Sequence, residues 1–275
     1  MTRASVGGSA SPLLAAMGGG GADAAAQGSV PRHETFAVPS AVLGETRRIN
    51  VFTPPGYDPS GTAAYPVLYM PDGGLGEDFP HVAATLDAGI RAGQVRPMLV
   101  VGMENTERRR DMTGPTAMDE DRRIAPRVGG SAAFRGFLRD ELIPLVRGRY
   151  RTTDERAVIG ESLAGLFIVE TFLLEPRLFD TYVALSPSLW WNGGALVRAA
   201  DERLRAWPGV PVRLSLSSAD EENIAPLAAR LAGTLRAHAP AGLRWEYRPR
   251  PDLTHATIYR AEAPRVLRGL FPPAP

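Results

Sequence analysis

Five short apolar runs, rich in β-branched residues and mostly free of polar alternation, constrain the fold of this chain more than any other feature: Val67–Met70, Met98–Val101, Ala157–Ile159, Tyr182–Leu185 and Val212–Leu216. A strand with one wet face places a polar residue at every second position. A run without that alternation suits a strand buried on both faces, as in a parallel sheet covered by helices on either side. Helical spacing separates the runs. Over 131–149, Phe134, Phe137, Leu138 and Leu142 recur at three- and four-residue intervals, and over 223–237 Leu227, Leu231 and Leu235 repeat at every fourth position. An alternating segment at 45–53 predicts an edge strand and 243–248 a last strand, with a final helix over about 257–269. Strand and helix in alternation predict a three-layer α/β fold, a mostly parallel central sheet flanked by helices.

A chain of 275 residues suits one large α/β domain, so residues 33–275 are expected to form a single domain behind a Gly/Ala-rich flexible leader at 1–32. The apolar stretch Leu13–Met17 in that leader is five residues long, shorter than the roughly 7–15 of a secretory signal. A cytoplasmic location is favoured on that ground, with export the alternative if the leader is a signal. No run approaches the roughly 18 apolar residues of a membrane span. The absence of cysteine excludes disulfides, thiol catalysis and Cys-based zinc sites. The net charge of +1 supplies no field that would gather nucleic acid.

Functional groups of such sheets lie at the carboxyl ends of the strands. After the run at 157–159 comes Gly160-Glu161-Ser162-Leu163-Ala164, followed by Gly165. A strand passing into a helix through so sharp a turn lifts the serine clear of the sheet and onto a helix N-terminus, where free N–H groups favour a developing oxyanion. Ser162 is the candidate nucleophile, and the N–H of Leu163 a candidate oxyanion donor. A serine hydroxyl needs a base. His33 lies beside the leader, His81 starts a helix and His238 ends one. His255, in a loop between the last strand and the last helix, has the position a base requires in the order serine, acid, histidine. The acid should follow the run Val212–Leu216, where Asp220, Glu221 and Glu222 are all eligible. Glu222 is preferred, with Asp220 next, and a Ser162/His255 dyad without a strong acid stays open.

Gly73 and Gly74, after the run Val67–Met70, offer unobstructed backbone N–H groups for a second oxyanion donor. The cluster Arg108, Arg109, Arg110, Asp111 follows the next strand, with Arg110 a candidate for gripping a substrate carboxylate or catechol-like group. Trp190 and Trp191 follow Tyr182–Leu185. As neighbours they point different ways, so one lines a pocket while the other packs. No loop carries the spacing of a metal or phosphate site.

The segments PVLYMPDGG, VVGMENTERRRDMTGP, FLRDELIPLVRGRYRTTDERAVIGESLAGLF and FDTYVALSPSLWW, with the late His255, resemble the putative-esterase family of α/β-hydrolases. That family takes in enterochelin-type siderophore esterases, esterase D-like enzymes and mycolyltransferases. The likeness spans about residues 36–270. It is strongest to the siderophore-hydrolase branch, through RRRDMT and SPSLWW. It implies the α/β-hydrolase fold, Ser162 and His255 as nucleophile and base, main-chain donors near Gly73 or Gly74 and at Leu163, no cofactor, and a small-molecule ester as substrate. Two departures stand out: Ala164 where the family has Gly, and no clear signature marking the acid. The expected activity is hydrolysis of siderophore-type or short-chain acyl esters through an acyl-enzyme. Acyl transfer by the same nucleophile and a non-catalytic binding module on a hydrolase scaffold are the alternatives.

Overall fold

In the computed structural model, which describes residues 30–273, the apolar runs become the inner strands of one eight-stranded sheet. The strands are β1 (His33–Ser40), β2 (Glu45–Phe52), β3 (Tyr65–Met70), β4 (Leu99–Met103), β5 (Thr152–Glu161), β6 (Thr181–Leu185), β7 (Val212–Ala219) and β8 (Leu243–Arg250). Their order across the sheet is β1-β2-β4-β3-β5-β6-β7-β8. The pairs β1/β2 and β2/β4 are antiparallel and all others parallel. Helices α1 (Phe79–Arg91), α2 (Arg108–Met112), α3 (Asp119–Arg123), α4 (Ser131–Phe137), α5 (Ile143–Arg149), α6 (Leu163–Leu174), α7 (Trp191–Arg205), α8 (Ala225–His238) and α9 (His255–Leu270) connect them.

The missing alternation has a direct cause. Leu68 and Met70 pack on the side of the sheet covered by α1 and α9, while Val67 and Tyr69 pack on the opposite side, and β4 and β6 divide their side chains in the same way. With both faces dry, no position of these strands can be polar without a buried partner. Helix α6 is buried over most of its length, with Leu163–Val169 and Thr171–Leu173 inside.

Three expectations are corrected. Segment 45–53 is not at the edge, because β1 pairs along its full length, from His33 opposite Phe52 to Ser40 opposite Glu45. The helix expected over 131–149 is interrupted by a π segment at Leu138–Leu142. Pro144, just beyond it, has no N–H to give to the carbonyl four residues back, and the wider turn absorbs that loss. His255 is not in a loop. It is the first residue of α9, which starts earlier than 257 because Thr254 and Thr257 form a capping box. The short apolar stretch at 13–17 and nearly all of the leader fall outside the described residues. No helix among the described residues is long and apolar enough to cross a membrane.

The β1–β2 hairpin is held to the body of the protein by a fully buried arginine. Arg47 donates to Asp111 (2.6 Å), Glu45 (2.8 Å), Thr106 (2.7 Å) and the Glu104 carbonyl (3.0 Å), with its guanidinium over the Phe134 ring at 5.3 Å. Asp111 is itself 1% exposed. Removing the cation leaves that carboxylate uncompensated in the interior. Arg47→Leu is therefore expected to lower unfolding stability by about 3–5 kcal/mol, read from urea denaturation. A loss below about 1 kcal/mol would mean that the pair is solvated.

Candidate active site

Ser162 occupies the junction of β5 and α6 with φ 60° and ψ −120°, a backbone conformation that side chains disfavour. Its N–H donates to the Leu185 carbonyl (3.0 Å), and its own carbonyl accepts from Ser188 N–H (3.0 Å) and Leu166 N–H (2.9 Å). The turn is therefore pinned on both sides by neighbouring chain. It also needs small neighbours. A Cβ on Gly160 would stand 2.7 Å from the Ala164 methyl, and one on Gly165 would stand 3.0 Å from Pro187 Cα. Ala164, the departure from the familiar Gly, fits because Gly160 opposite it has no side chain. Asp72 and Ser186 also have positive φ, so three strained non-glycine residues gather just past the carboxyl ends of β3, β5 and β6.

Among the described residues, the Ser162 hydroxyl's hydrogen-bonding neighbour is Ser188 Oγ, at 3.4 Å. Leu163 opens α6, and its N–H meets no acceptor among the described residues, leaving it free at the positive end of the helix dipole.

His255 stands at the start of α9 with Nδ1 2.8 Å from Glu221 Oε2. The Glu221 carboxylate raises the imidazole above its ordinary pKa, against the opposing effect of burial, and Glu161 adds to the rise. The acid facing the histidine is thus Glu221, not Glu222 or Asp220, both of which are exposed. Strand β7 ends at Ala219, Asp220 N–H is held by the Leu253 carbonyl (3.1 Å), and the chain turns so that the next residue is the one that meets α9.

The glycine pair does other work than expected. Gly73 N–H donates to the Met103 carbonyl (2.9 Å), and a Cβ there would lie 2.3 Å from Gly102 Cα, so this glycine permits close approach of two strand ends. Gly74 N–H donates to Glu77 Oε2 (2.7 Å). Both donors are engaged. Arg110 is likewise committed elsewhere, to Glu45 (2.7 Å) and Asp111 (2.7 Å) in the Arg47 network. Of the two tryptophans, Trp191 packs, 4% exposed, with Nε1 donating to the Gly114 carbonyl (2.8 Å), and Trp190 is half-buried beside it.

Five residues given no role from sequence lie at the same end of the sheet: Arg108, Asp72, Asn105, Ser188 and Glu161. Arg108 clasps Asp72 with two hydrogen bonds (2.7 and 2.8 Å), and Asn105 donates to the same carboxylate (2.6 Å). Ser188 touches Ser162, and the Glu161 carboxyl is pushed up by burial to about 8. Of these, Arg108 left a signal, as the leading member of the Arg-Arg-Arg-Asp run. Among the described residues, no cluster of three or more His, Asp or Glu side chains could hold a metal ion.

Residues 40–223 match the family model described as Putative esterase. Ferri-bacillibactin esterase BesA of Bacillus subtilis is 28% identical over 259 residues, covering 84% of this chain and 88% of that protein. Among solved structures, an IroE-like serine hydrolase from Shewanella oneidensis superposes with a TM-score of 0.80 at 26% identity, covering 87% of this chain and 80% of that one. The BES protein from Bacillus cereus superposes at 0.75 and 21% identity, over 87% and 96% of the two chains. These neighbours share the α/β-hydrolase arrangement of sheet and helices. The family match stops before His255, whose place rests on the geometry of α9.

The strain at Ser162 is measurable without any substrate. Glycine adopts this conformation freely, so Ser162→Gly should exceed Ser162→Ala in unfolding stability by about 1 kcal/mol, a small but resolvable rise in Tm. Equal stabilities would mean that the turn is relaxed.

Proposed function

Since the chain belongs to the Putative esterase family of carboxylic-ester hydrolases, we propose that it cleaves its ester through a covalent acyl-enzyme on Ser162. The observation that carries this reading is the pairing of His255 with Glu221 in a chain whose candidate nucleophile is a strained serine at a helix N-terminus. His255 Nε2 takes the hydroxyl proton as Ser162 Oγ attacks the carbonyl carbon. Glu221 at Nδ1 keeps the proton of the neutral ring on that side, leaving Nε2 as the acceptor, and stabilises the imidazolium that forms. The oxyanion develops against Leu163 N–H and the N-terminus of α6. The tetrahedral intermediate collapses, His255 Nε2 delivers its proton to the departing alcohol, and Ser162 holds the acyl group. Water, deprotonated by the same nitrogen, then releases the acid and restores the serine.

For the substrate we infer a siderophore-type ester, with short-chain acyl esters accepted as surrogates. Relatives named for esters of ferri-bacillibactin and triacetylfusarinine C support the class. The second of these matches over 33% of this chain. Turnover of a tri-catecholate lactone should exceed that of feruloyl or acetyl sugars in kcat/KM. The reverse order would move the substrate elsewhere.

The nucleophile is tested with a nitrophenyl acetate ester and a fluorophosphonate. Ser162→Ala should lose at least about 10³-fold in kcat and all stoichiometric labelling, and wild-type turnover in that variant would overturn the reading. Glu221→Gln should cost roughly 10²–10⁴-fold, while Glu222→Gln and Asp220→Asn stay close to wild type.

The pH dependence has a definite sign. His255 accepts a proton only when neutral, and Glu221 raises its pKa. The rate should climb with pH to a midpoint above the ordinary imidazole value of about 6.5. In Glu221→Gln that midpoint should move down.

A further inference from the structure

The hydroxyl of Ser188 has one hydrogen-bonding partner among the described residues, and it is the hydroxyl of the candidate nucleophile, at 3.4 Å. Ser188 is 3% exposed, and a buried hydroxyl deprived of its partner is costly. The backbone builds this placement. Ser188 N–H donates to the Ser162 carbonyl (3.0 Å), so the two residues face each other where the serine turn meets the chain leaving β6. That chain is fixed on its other sides as well. Ser186, at φ 37°, donates its N–H to the Ser217 carbonyl (2.8 Å) and accepts from Ala219 N–H at Oγ (2.9 Å). Pro187 packs on α6 at Gly165, where a Cβ would stand 3.0 Å from the proline Cα. The Ser188 carbonyl accepts from Trp191 N–H (3.2 Å) at the start of α7. Strained residues cluster where a functional group has to be aimed, and here Ser162 and Ser186 both belong to the frame that brings the two hydroxyls together.

Which oxygen donates follows from the chemistry. In the proposed cycle the Ser162 proton is directed at His255 Nε2, so Ser162 Oγ meets Ser188 as an acceptor. We propose that Ser188 is a further catalytic residue, whose O–H donates to Ser162 Oγ and stabilises the negative charge that gathers on that oxygen as its proton departs. This rests on the reading of Ser162 as the nucleophile. The Ser188 hydrogen stays on its own oxygen throughout. The proton that moves is that of Ser162, to His255 Nε2, and the bond that forms joins Ser162 Oγ to the carbonyl carbon.

The long contact suits the task. Neutral hydroxyl pairs lie about 2.7–2.8 Å apart at best, and O–H···O⁻ bonds about 2.5–2.7 Å. At 3.4 Å Ser188 gives little to a neutral Ser162, and a small rotation about either Cα–Cβ bond closes the gap once the acceptor is charged. An interaction that is stronger in the transition state than in the resting enzyme lowers the barrier, whereas one of equal strength in both does not. The same charge returns to Ser162 Oγ when the acyl-enzyme breaks down, so both halves of the cycle gain. Leu163 N–H serves the substrate's oxygen, and Ser188 serves the enzyme's.

The test is two measurements on Ser188→Ala, which removes one buried oxygen and no carbon. The first is the rate of Ser162 labelling by a fluorophosphonate, with kcat and KM for the nitrophenyl ester. Labelling and kcat should fall about 10–100-fold, the worth of one hydrogen bond to a charged acceptor, with KM unchanged. A wild-type labelling rate, or a change confined to KM, would overturn the proposal. The second measurement needs no substrate. With Ser188 donating to Ser162, Ser162→Ala leaves the Ser188 hydroxyl buried and unpaired, so that removing it no longer costs stability. Ser188→Ala should therefore lower Tm in the wild type and leave it level or raise it in a Ser162→Ala background. Equal Tm shifts in the two backgrounds would mean that the hydroxyls are uncoupled, and would sink the assignment. A failure of the esterase reading is visible separately, as undiminished turnover by Ser162→Ala, and leaves the Tm comparison standing.

Discussion

Everything at the carboxyl end of this sheet is arranged around one backbone conformation that the chain holds against its own preference. Ser162 sits at φ 60° because β5 must stop and α6 must start within a single residue, deep between two packed layers. Three small residues make that geometry possible: Gly160, Ala164 and Gly165, each touching chain that could not retreat. The hydrogen bond that Ser162 N–H gives to the Leu185 carbonyl and the one that Ser162 accepts from Ser188 N–H hold the turn from the β6 side. In exchange the serine is raised above the sheet with an unoccupied helix N–H next to it. Strain of this kind persists only where the surroundings over-determine it. The non-alternating strands are what over-determine it here.

The charged groups around that turn follow a simple rule of pairing. Arg108 is matched by Asp72, Arg47 by Asp111 and Glu45, and His255 by Glu221. Glu161 makes no ion pair among the described residues, and burial pushes its carboxyl above the usual range.

Much of the fold was legible because a parallel sheet leaves a coarse signature. All five apolar runs became strands, and their order placed the serine turn correctly. Strand β1 escaped notice because only its last residues are buried and HETFAVPS has no clear pattern. Helix α7 was hidden by Asn192, Gly193 and Gly194, which take left-handed conformations and break the helical repeat just after it starts. The acid could not be chosen from sequence for a sharper reason. Asp220, Glu221 and Glu222 are adjacent, and which one meets His255 depends on whether β7 ends one residue earlier or later. The glycine pair misled because close packing and ligand contact both demand glycine. Gly73 serves the first, against Gly102.

The five residues of α2 carry a coupling between the hairpin and the reactive end of the sheet. Arg110 and Asp111 are tied into the Arg47 cluster, and Arg108, two positions away on the same short helix, reaches in the other direction to Asp72. The helix behaves as a strut clamped at one side and loaded at the other. The seat of Arg108 is therefore only as firm as the hairpin clamp. Loosening β1 and β2, by heat or by a change far from Ser162, would reach the Arg108–Asp72 pair through this helix. Durability of function in this protein is thus set at its antiparallel margin.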